Sequence, residues 1–484
     1  MSYQQISPSR EQVHTLFSQG DLVPVYRLLP ADLETPVSVF WKFFREDEPA
    51  FLLESVEGGE QVSRYSFIGI KPRKMIKPDE SGDVLCQVER EMAAYHPVVV
   101  PGLPRFVGGA VGYLSYDTVR QFERLPDNTL DDVAVPSGMY MLFDSVIIFD
   151  HAKALLIVLA NAYNTGDPDA AYDEAVQRIE ALVAQIRQPL PPLPLPGGVL
   201  NVELESTFTQ PEFEEAVEKA KEYIRAGDAF QIVMSQRLSR ETTASPIAIY
   251  RALRMLNPSP YMFFLHYPAG ENHPTISIVG ASPEMLVRLE DGIASVRPIA
   301  GTRPRGKTYE EDQQLGIELL GDPKERAEHI MLVDLGRNDL GRVCEYGSVH
   351  VPEQEVIERY SHVMHIVSHV EGKLRAGYSA YDLLRATFPA GTLSGAPKIR
   401  AMQIIDELEK TRRNVYGGGV GYFSFGGAMD TCISIRTLVM IDNKVYVQAG
   451  AGIVADSDPT TEYQETLNKA RALADAIKLA ETGF

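Results

Sequence analysis

Apolar residues along this chain fall into runs of two kinds. Short β-rich runs such as residues 145–149 and 155–159 alternate with turn signals and predict strands, whereas over residues 169–187 apolar positions recur at helical spacing. The later part alternates long helical patterns with glycine-punctuated strands, and neither part repeats the regular strand–helix–strand spacing of a parallel sheet. The pattern therefore predicts an α+β protein built on antiparallel sheet. One break interrupts it: QPLPPLPLPGG at residues 188–198, whose prolines favour a stiff extended connection over helix or central strand. It sets the expected division into 1–190 and 206–484.

Two predicted helices begin with carboxylates in view. In DPKERAEHIMLVDLGRND, Asp322 is the expected N-cap, Pro323 opens the first turn and Glu325 completes a capping box. Ala327, Ile330, Met331 and Leu335 form the expected buried stripe, with Glu328 at its edge and turned inward. In DSDPTTEYQETLNKARALADAI, Asp458 caps and Pro459 opens, Tyr463, Leu467, Ala470, Ala474 and Ile477 form the stripe, and Glu462 and Glu465 lie about one turn apart. Carboxylates brought together by two helices would suit magnesium, a hard ion that takes oxygen ligands and keeps waters for a substrate to displace. By spacing alone, glutamates near helix starts are more often solvated or capping.

An echo links GGAVGYLS at residues 108–115 to GGGVGYFS at 417–424. Both read as strands in which glycine permits close backbone approach, with an internal duplication as the other reading. Neither is a phosphate loop, because no Gly-Lys-Ser/Thr follows and the dinucleotide fingerprint is missing.

Composition narrows the partners. With 66 acidic against 46 basic residues and a net charge of -20, the surface is not one that neutralises nucleic-acid phosphates. A small anionic substrate remains compatible, since one or two arginines and a metal suffice to hold it. The 44% hydrophobic content over 484 residues is enough for a large core. Cys86, Cys344 and Cys432 show neither metal-ligand spacing nor a glycine-flanked nucleophile turn, and fit a reducing cytoplasm. The start, MSYQQISPSREQ, has no apolar signal core, and the most apolar stretch, 140–162, is cut by Asp144, Asp150, His151 and Lys153, so neither secretion nor membrane spanning is expected.

Six motifs carry the chemistry: PIAGTRPRG from Pro298, DPKERAEHIMLVDLGRNDLGRV from Asp322, YSHVMHIVSHVEG from Tyr360, FPAGTLSGAPKIRAM from Phe388, YGGGVGYFSFGGAMD from Tyr416 and QAGAGIVADSDPTTE from Gln448. Together they resemble the chorismate-utilising enzymes, from about Phe208 to the C-terminus. The resemblance implies two large packed antiparallel β-sheets flanked by helices, and a magnesium-dependent site for the carboxylates of chorismate. Carried onto matching positions, it implies Glu328 and Glu465 as magnesium ligands, and Gly301, Thr302, Tyr416, Arg436, Gly450, Ala451 and Gly452 as chorismate contacts. Those types suit the task, because an arginine clamps a carboxylate by two parallel bonds and glycines let backbone N–H groups reach an anion.

The same resemblance implies Glu284, in GASPEM, as the general acid for the departing C4 hydroxyl and His365, in HVMHIVS, as the base that removes the ring proton. Thr392, in AGTLSGAP, would hydrogen-bond ring or intermediate oxygens; by residue type alone it is also a helix N-cap. On a helix His362, His365 and His369 would share one face, which by itself fits a metal cluster or a polar surface stripe.

Members of the family differ in the nucleophile added to the ring. Water-adding members carry a lysine base where this chain has Gln231, in FQIVMSQRL, and a neutral amide cannot take a proton at neutral pH. The aminodeoxychorismate-forming branch reads PIKGT, its lysine an amine nucleophile; here the residue is Ala300. The resemblance therefore implies direct attack by free ammonia, giving anthranilate and pyruvate, with the aminodeoxychorismate-forming branch as the alternative.

Tryptophan-inhibited members carry LLES and NPSPYMF, and this chain has both, at residues 52–55 and 257–263. A tryptophan site is thus implied, with Ser55, Pro260, Tyr261 and Met262 around the amino acid and Glu54 near its ammonium; the residues alone also allow a plain turn feeding a strand. Residues 1–190 would carry tryptophan-binding elements and 206–484 the chorismate-binding catalytic domain. No cysteine sits in a glutaminase nucleophile turn, so a separate glutamine amidotransferase subunit is expected to supply the ammonia.

Overall fold

The computed structural model describes residues 5–56, 64–79, 82–200, 202–270, 273–360 and 363–484, and these form two large sheets. The first runs Leu22–Pro30, Leu155–Tyr163, Ser145–Asp150, Tyr65–Ile70, Ala50–Glu54, Tyr261–Tyr267, Ile276–Ser282, Thr437–Ile441, Lys444–Ile453, Gln231–Glu241 and Gly395–Ala396, with Glu205–Ser206 also on Gln231–Glu241. The second runs Ile299–Pro304, Val363–Lys373, Ile293–Val296, Met285–Glu290, Met429–Ile433, Gly419–Ser424, Gly109–Leu114, Gly138–Phe143 and Lys74–Ile76, with His350–Arg359 on Val363–Lys373. Every pairing between these strands is antiparallel.

Alternation of side chains along the strands builds the layers. Phe51, Phe263, Leu265 and Tyr267 of the first sheet meet Val111, Tyr113, Met141 and Phe143 of the second in a shared core. The far face of the first sheet, with Val25, Leu52, Phe264 and Val447, is covered by the helices Pro36–Phe43, Pro168–Ile186, Pro246–Leu256 and Pro459–Thr482. The far face of the second is covered by Val84–Met92, Pro323–Gly341 and Ala380–Thr387. Burying each large side chain contributes about 1.5–3 kcal/mol. The result is the expected pair of packed antiparallel sheets flanked by helices.

Locally encoded elements form where the sequence predicts them. Strands Ser145–Asp150 and Leu155–Tyr163 and helix Pro168–Ile186 fall on the predicted runs, and the Asp167 carboxylate caps that helix by accepting from the N–H groups of Asp169 and Ala170. The two echoing motifs become adjacent strands, paired so that Gly112 lies opposite Gly421. A Cβ at Gly112 would sit 2.0 Å from the Met139 carbonyl oxygen, and one at Gly421 2.1 Å from that of Asp430, so both glycines serve close strand approach. Residues 189–200 have no regular secondary structure and are mostly exposed. They do not part the sheets: Ala50–Glu54 pairs with Tyr261–Tyr267 and Gly109–Leu114 with Gly419–Ser424, so both sheets take strands from both sides of the connection.

Three local expectations fail. Helix Pro323–Gly341 buries His329, Leu332, Val333, Gly336, Asp339 and Leu340 rather than the 327/330/331/335 stripe, and Ile330 is 41% exposed. The helix has two half-apolar faces, and packing against the second sheet selects the one with Leu332 and Val333. Its cap is Asp322, which accepts from the N–H groups of Lys324 and Glu325, but the Glu325 carboxylate pairs with Arg303 at 3.3 Å and closes no capping box. The histidine segment is the strand Val363–Lys373 rather than a helix, because its Val and Ile residues pair with Ile299–Pro304 and Ile293–Val296 on one side and His350–Arg359 on the other. His365 and His369 still share a face, now by the period of two. His362 lies outside the described residues.

Candidate active site

A cavity of about 640 Å3 opens where the ends of the two sheets meet the Pro323–Gly341 and Pro459–Thr482 helices. It gathers Gln231, Glu284, Gly301, Thr302, Glu328 and His365 from distant parts of the chain. Thr392, Tyr416, Arg436, Gly450, Gly452 and Glu465 line it too, as does Ala300. Ala451 is the exception among the expected contacts: its methyl packs with Ile232 and Met234 on the helix side of the sheet, so it can offer the cavity only backbone.

Glu284 follows the end of strand Ile276–Ser282 and is buried, at 8% exposure. Burial pushes its carboxyl up to about 8, against the opposing pull of the Thr392 hydroxyl and the Arg436 cation. The Thr392 hydroxyl donates to Glu284 Oε1 at 3.1 Å, and Thr392 lies within the short turn Gly391–Leu393, not at a helix N-cap. The carboxyl is therefore a neutral proton donor at pH 7. His365 presents the opposite character. Its Nδ1 lies 2.9 Å from the Gly301 carbonyl oxygen, which accepts only, so Nδ1 carries the proton and Nε2 keeps a free lone pair. Burial, with Arg436 adding to it, holds the imidazole below its ordinary value and hence neutral. One cavity thus holds a protonated acid and an unprotonated base.

One wall of the cavity is built by glycine and arginine. A Cβ on Gly452 would lie 2.2 Å from Gln231 Nε2, and one on Gly450 2.7 Å from the Tyr416 hydroxyl; both sit on strand Lys444–Ile453, not in a turn. Glycine there lets those two side chains lie across the strand. Arg436 is half-buried with φ 48°, left-handed backbone that a non-glycine residue adopts only when its surroundings hold it there. Among the described residues no carboxylate pairs with its guanidinium, which leaves a bidentate donor facing the cavity.

Glu328 and Glu465 reach the cavity from the two helices, accompanied by Glu325 and Glu462. Burial pushes Glu328 and Glu462 up, and neighbouring Glu325 and Glu465 add to this. Gln231 Nε2 donates to Glu328 Oε1 at 3.2 Å, and Lys469 pairs with Glu465 at 2.7 Å while donating to the Gly450 carbonyl at 3.0 Å. Among the described residues no three His, Cys, Asp or Glu side chains converge as a closed metal cage. Crowded carboxylates with raised proton affinity fit a divalent hard cation that takes one or two protein oxygens and leaves its other positions to water and substrate.

The tryptophan-site candidates come together away from this cavity. Glu54 is the register partner of Met262, Ser55 follows directly, and Pro260 and Tyr261 precede Met262. The Glu54 carboxylate is held by Arg254 at 3.1 and 3.2 Å and by the Tyr250 hydroxyl, so an incoming ammonium would share it with a guanidinium. Ser55 Oγ is buried without a hydrogen-bond partner. Tyr261 is paired with Ser282, whose hydroxyl accepts from the Glu284 N–H at 3.3 Å, a short path from this segment to the acid.

Three site features escaped sequence reasoning. Lys469, four residues after Glu465, was legible as an i,i+4 pair. The buried Glu409–Arg413 pair beneath the cavity is spaced i,i+4 as well, whereas Gln448 gave no local signal.

Comparison with known proteins identifies the family. The model of a family described as chorismate binding enzyme matches residues 48–475. Anthranilate synthase component 1 of Acetivibrio thermocellus is 46% identical over 98% of this chain and 99% of its own length, and that of Synechocystis is 48% identical with the same coverage. The crystal structure of anthranilate synthase component I from Streptococcus pneumoniae, 38% identical, superposes with a TM-score of 0.76 over 85% of this chain and 92% of that one. The menaquinone-specific isochorismate synthase of Escherichia coli, 20% identical, shares the fold with a TM-score of 0.70 over 96% of this chain and 98% of that one. Family match, near-complete coverage and shared architecture together mean that the chain belongs to the chorismate-binding enzymes.

Proposed function

We propose that this chain is the chorismate-converting component of an anthranilate synthase, turning chorismate and ammonia into anthranilate and pyruvate. The observation that carries the reading is the cavity wall at Ala300 and Gln231, a methyl and a neutral amide where other branches use lysines. Neither can serve as amine nucleophile or water-activating base, so ammonia itself must add. The names of relatives at 46% and 48% identity support the same product.

In the proposed reaction Arg436 grips a substrate carboxylate, and Gly301, Thr302, Tyr416, Gly450 and Gly452 bound the ring, with Ala451 contributing backbone. Magnesium, with Glu328 and Glu465 as its protein ligands, would supply Lewis-acid polarisation of the ring carboxylate when bound. Glu284, oriented by Thr392, donates its proton to the leaving C4 hydroxyl as ammonia bonds to C2, and the new ammonium group returns a proton to it. His365 Nε2 then removes the C2 proton while the C3–oxygen bond breaks, and the departing enolpyruvate takes up that proton as pyruvate. The component 1 name of the relatives supports a separate glutamine amidotransferase that supplies ammonia. Feedback inhibition by tryptophan at Glu54, Ser55, Pro260, Tyr261 and Met262 is supported by the path from Tyr261 through Ser282 to Glu284. Three free cysteines fit a reducing cytoplasm.

The test is to incubate the purified chain with chorismate, magnesium and an ammonium salt at mildly alkaline pH and to record anthranilate fluorescence with and without tryptophan. Magnesium-dependent fluorescence suppressed by tryptophan is expected. Chorismate loss without fluorescence would overturn the product assignment and favour an aminodeoxychorismate or isochorismate product.

A further inference from the structure

The imidazole of His365 stands in the middle of a row that crosses three strands. On strand Val363–Lys373 it is opposite Thr302 of Ile299–Pro304 on one side and opposite Glu358 of His350–Arg359 on the other. Residues directly opposite in an antiparallel pair project from the same face, with Cβ atoms about 4.5–5.5 Å apart. Glu358 therefore flanks the ring on the side away from Thr302. Tyr360 ties the two together: its ring meets the imidazole in a T-shaped contact with centroids 5.7 Å apart, and its hydroxyl donates to Glu358 Oε2 at 2.8 Å. The Arg297 guanidinium donates to the other carboxylate oxygen, Glu358 Oε1. One negative charge is thus tethered at both oxygens beside the base.

A fixed charge there bears on the second half of the reaction. When His365 Nε2 takes the C2 proton the ring becomes an imidazolium, whose Nδ1–H has only a neutral acceptor, the Gly301 carbonyl. Arg436 opposes the new positive charge and Glu358 favours it. Glu284, on the same cavity, is neutral at pH 7 and adds no field. Lys324, Glu325 and Glu328 of the Pro323–Gly341 helix also line the cavity, and Asp312 of the Tyr309–Gly321 helix is bound by Arg305 and Arg359. The side chains of Arg297 and Glu358 are 20% and 26% exposed, so solvent screens the pair incompletely.

We propose that Glu358 is a positioning residue that supplies the counter-charge for the His365 imidazolium, with Arg297 and the Tyr360 hydroxyl fixing its carboxylate beside the ring. The assignment rests on the reaction proposed above, in which His365 is the base.

The test isolates the elimination step. The aminated ring intermediate, collected by chromatography from His365→Ala reactions, is fed with saturating magnesium to wild type and to Glu358→Gln, and anthranilate fluorescence is followed across the acidic and neutral range. Glutamine keeps the size and the acceptor for Tyr360 and removes the charge; every other titrating group is common to the two proteins. Elimination by the variant near neutral pH is expected to slow on the order of three- to tenfold, the loss of one partly exposed charge interaction. Its decline on the acid side should set in at lower pH than in wild type, because a ring without its counter-charge binds a proton less readily. Wild-type rates and an unmoved acid limb overturn the proposal. So does a slower rate with an unmoved acid limb, which a merely structural contact would give. Tyr360→Phe keeps ring and charge but releases one tether, and should slow elimination by a smaller factor with the same shift of the acid limb; it carries the test if Glu358→Gln does not fold, and no change there is refuting. A His365→Ala protein that accumulates no intermediate removes the base and this proposal with it, whereas wild type that completes elimination no differently from Glu358→Gln sinks only the role of Glu358.

Discussion

Replacing Glu284 by glutamine separates the acid's chemical role from the electrostatic burden of burying it. The carboxyl is raised from 4.5 to about 8, chiefly by burial. At about 1.4 kcal/mol for each tenfold change in proton affinity, ionising it in place is roughly 5 kcal/mol less favourable than in the unfolded chain. The unfolded chain releases this proton near pH 4.5 and the folded chain holds it to about 8. Between those values the folded state binds more protons, so rising pH erodes stability through this group, and the loss levels off above about 8. Glutamine cannot ionise, yet its side-chain oxygen still accepts from Thr392. The expected result is that Glu284→Gln and wild type unfold alike at pH 5, while at pH 9 the variant is the more stable by several kcal/mol, roughly 5 kcal/mol at most. Differencing the two proteins across pH cancels every other titrating group. Denaturation followed by tyrosine fluorescence from pH 5 to 9 measures it, and anthranilate formation by the variant should fall by roughly 100- to 10,000-fold, as for loss of a general acid. Wild-type kcat/KM should decline as pH rises through about 8. A stability difference that stays flat over the whole range would show an ordinary ionised carboxylate and remove Glu284 as the acid.

Three further outcomes follow from the same geometry. His365→Ala should slow pyruvate release by roughly 100- to 10,000-fold while ammonia addition continues, so that chromatography of quenched reactions shows an aminated ring intermediate accumulating; normal anthranilate output would exclude His365. Arg436→Gln removes two charge-assisted hydrogen bonds to a carboxylate and should raise the chorismate KM by roughly 100- to 1,000-fold, readable from initial rates, and a KM within a few-fold of wild type would place the substrate carboxylate elsewhere. Ser55→Phe fills the space around a partnerless buried hydroxyl and should abolish inhibition by tryptophan with turnover retained; an unchanged inhibition curve would move the regulatory site.

What could be read from the sequence was local or motif-borne. Helices opened by Asp-Pro, at Asp322 and Asp458, begin as predicted because cap and first turn are decided within four residues. The buried face of the Pro323–Gly341 helix was misread because the sheet, not the helix, selects between two apolar faces. His365 and His369 are four apart, a spacing that helix and strand share, and the strand is set by pairing with segments outside the motif. Motif matching brought Glu284, His365, Glu328 and Glu465 to one cavity, while Ala451, whose side chain alternates away from those of Gly450 and Gly452, can offer it backbone alone. The Ser235–Glu409 and Gln448–Ser235 contacts span 174 and 213 positions in the chain, a range at which no periodicity can signal a hydrogen bond.

Sheets assembled from both sides of the proline-rich connection also dictate an order of events during synthesis. As the chain leaves the ribosome, Ala50–Glu54 gains Tyr65–Ile70 early but has no second neighbour until residue 261 emerges, and Gly109–Leu114 waits for residue 419. Until then the nascent first half carries two unpaired strand edges flanked by Phe51, Val111 and Tyr113, the form of exposed edge that recruits other chains. Pairings this distant close slowly, so those edges stay open for longer than locally paired strands would.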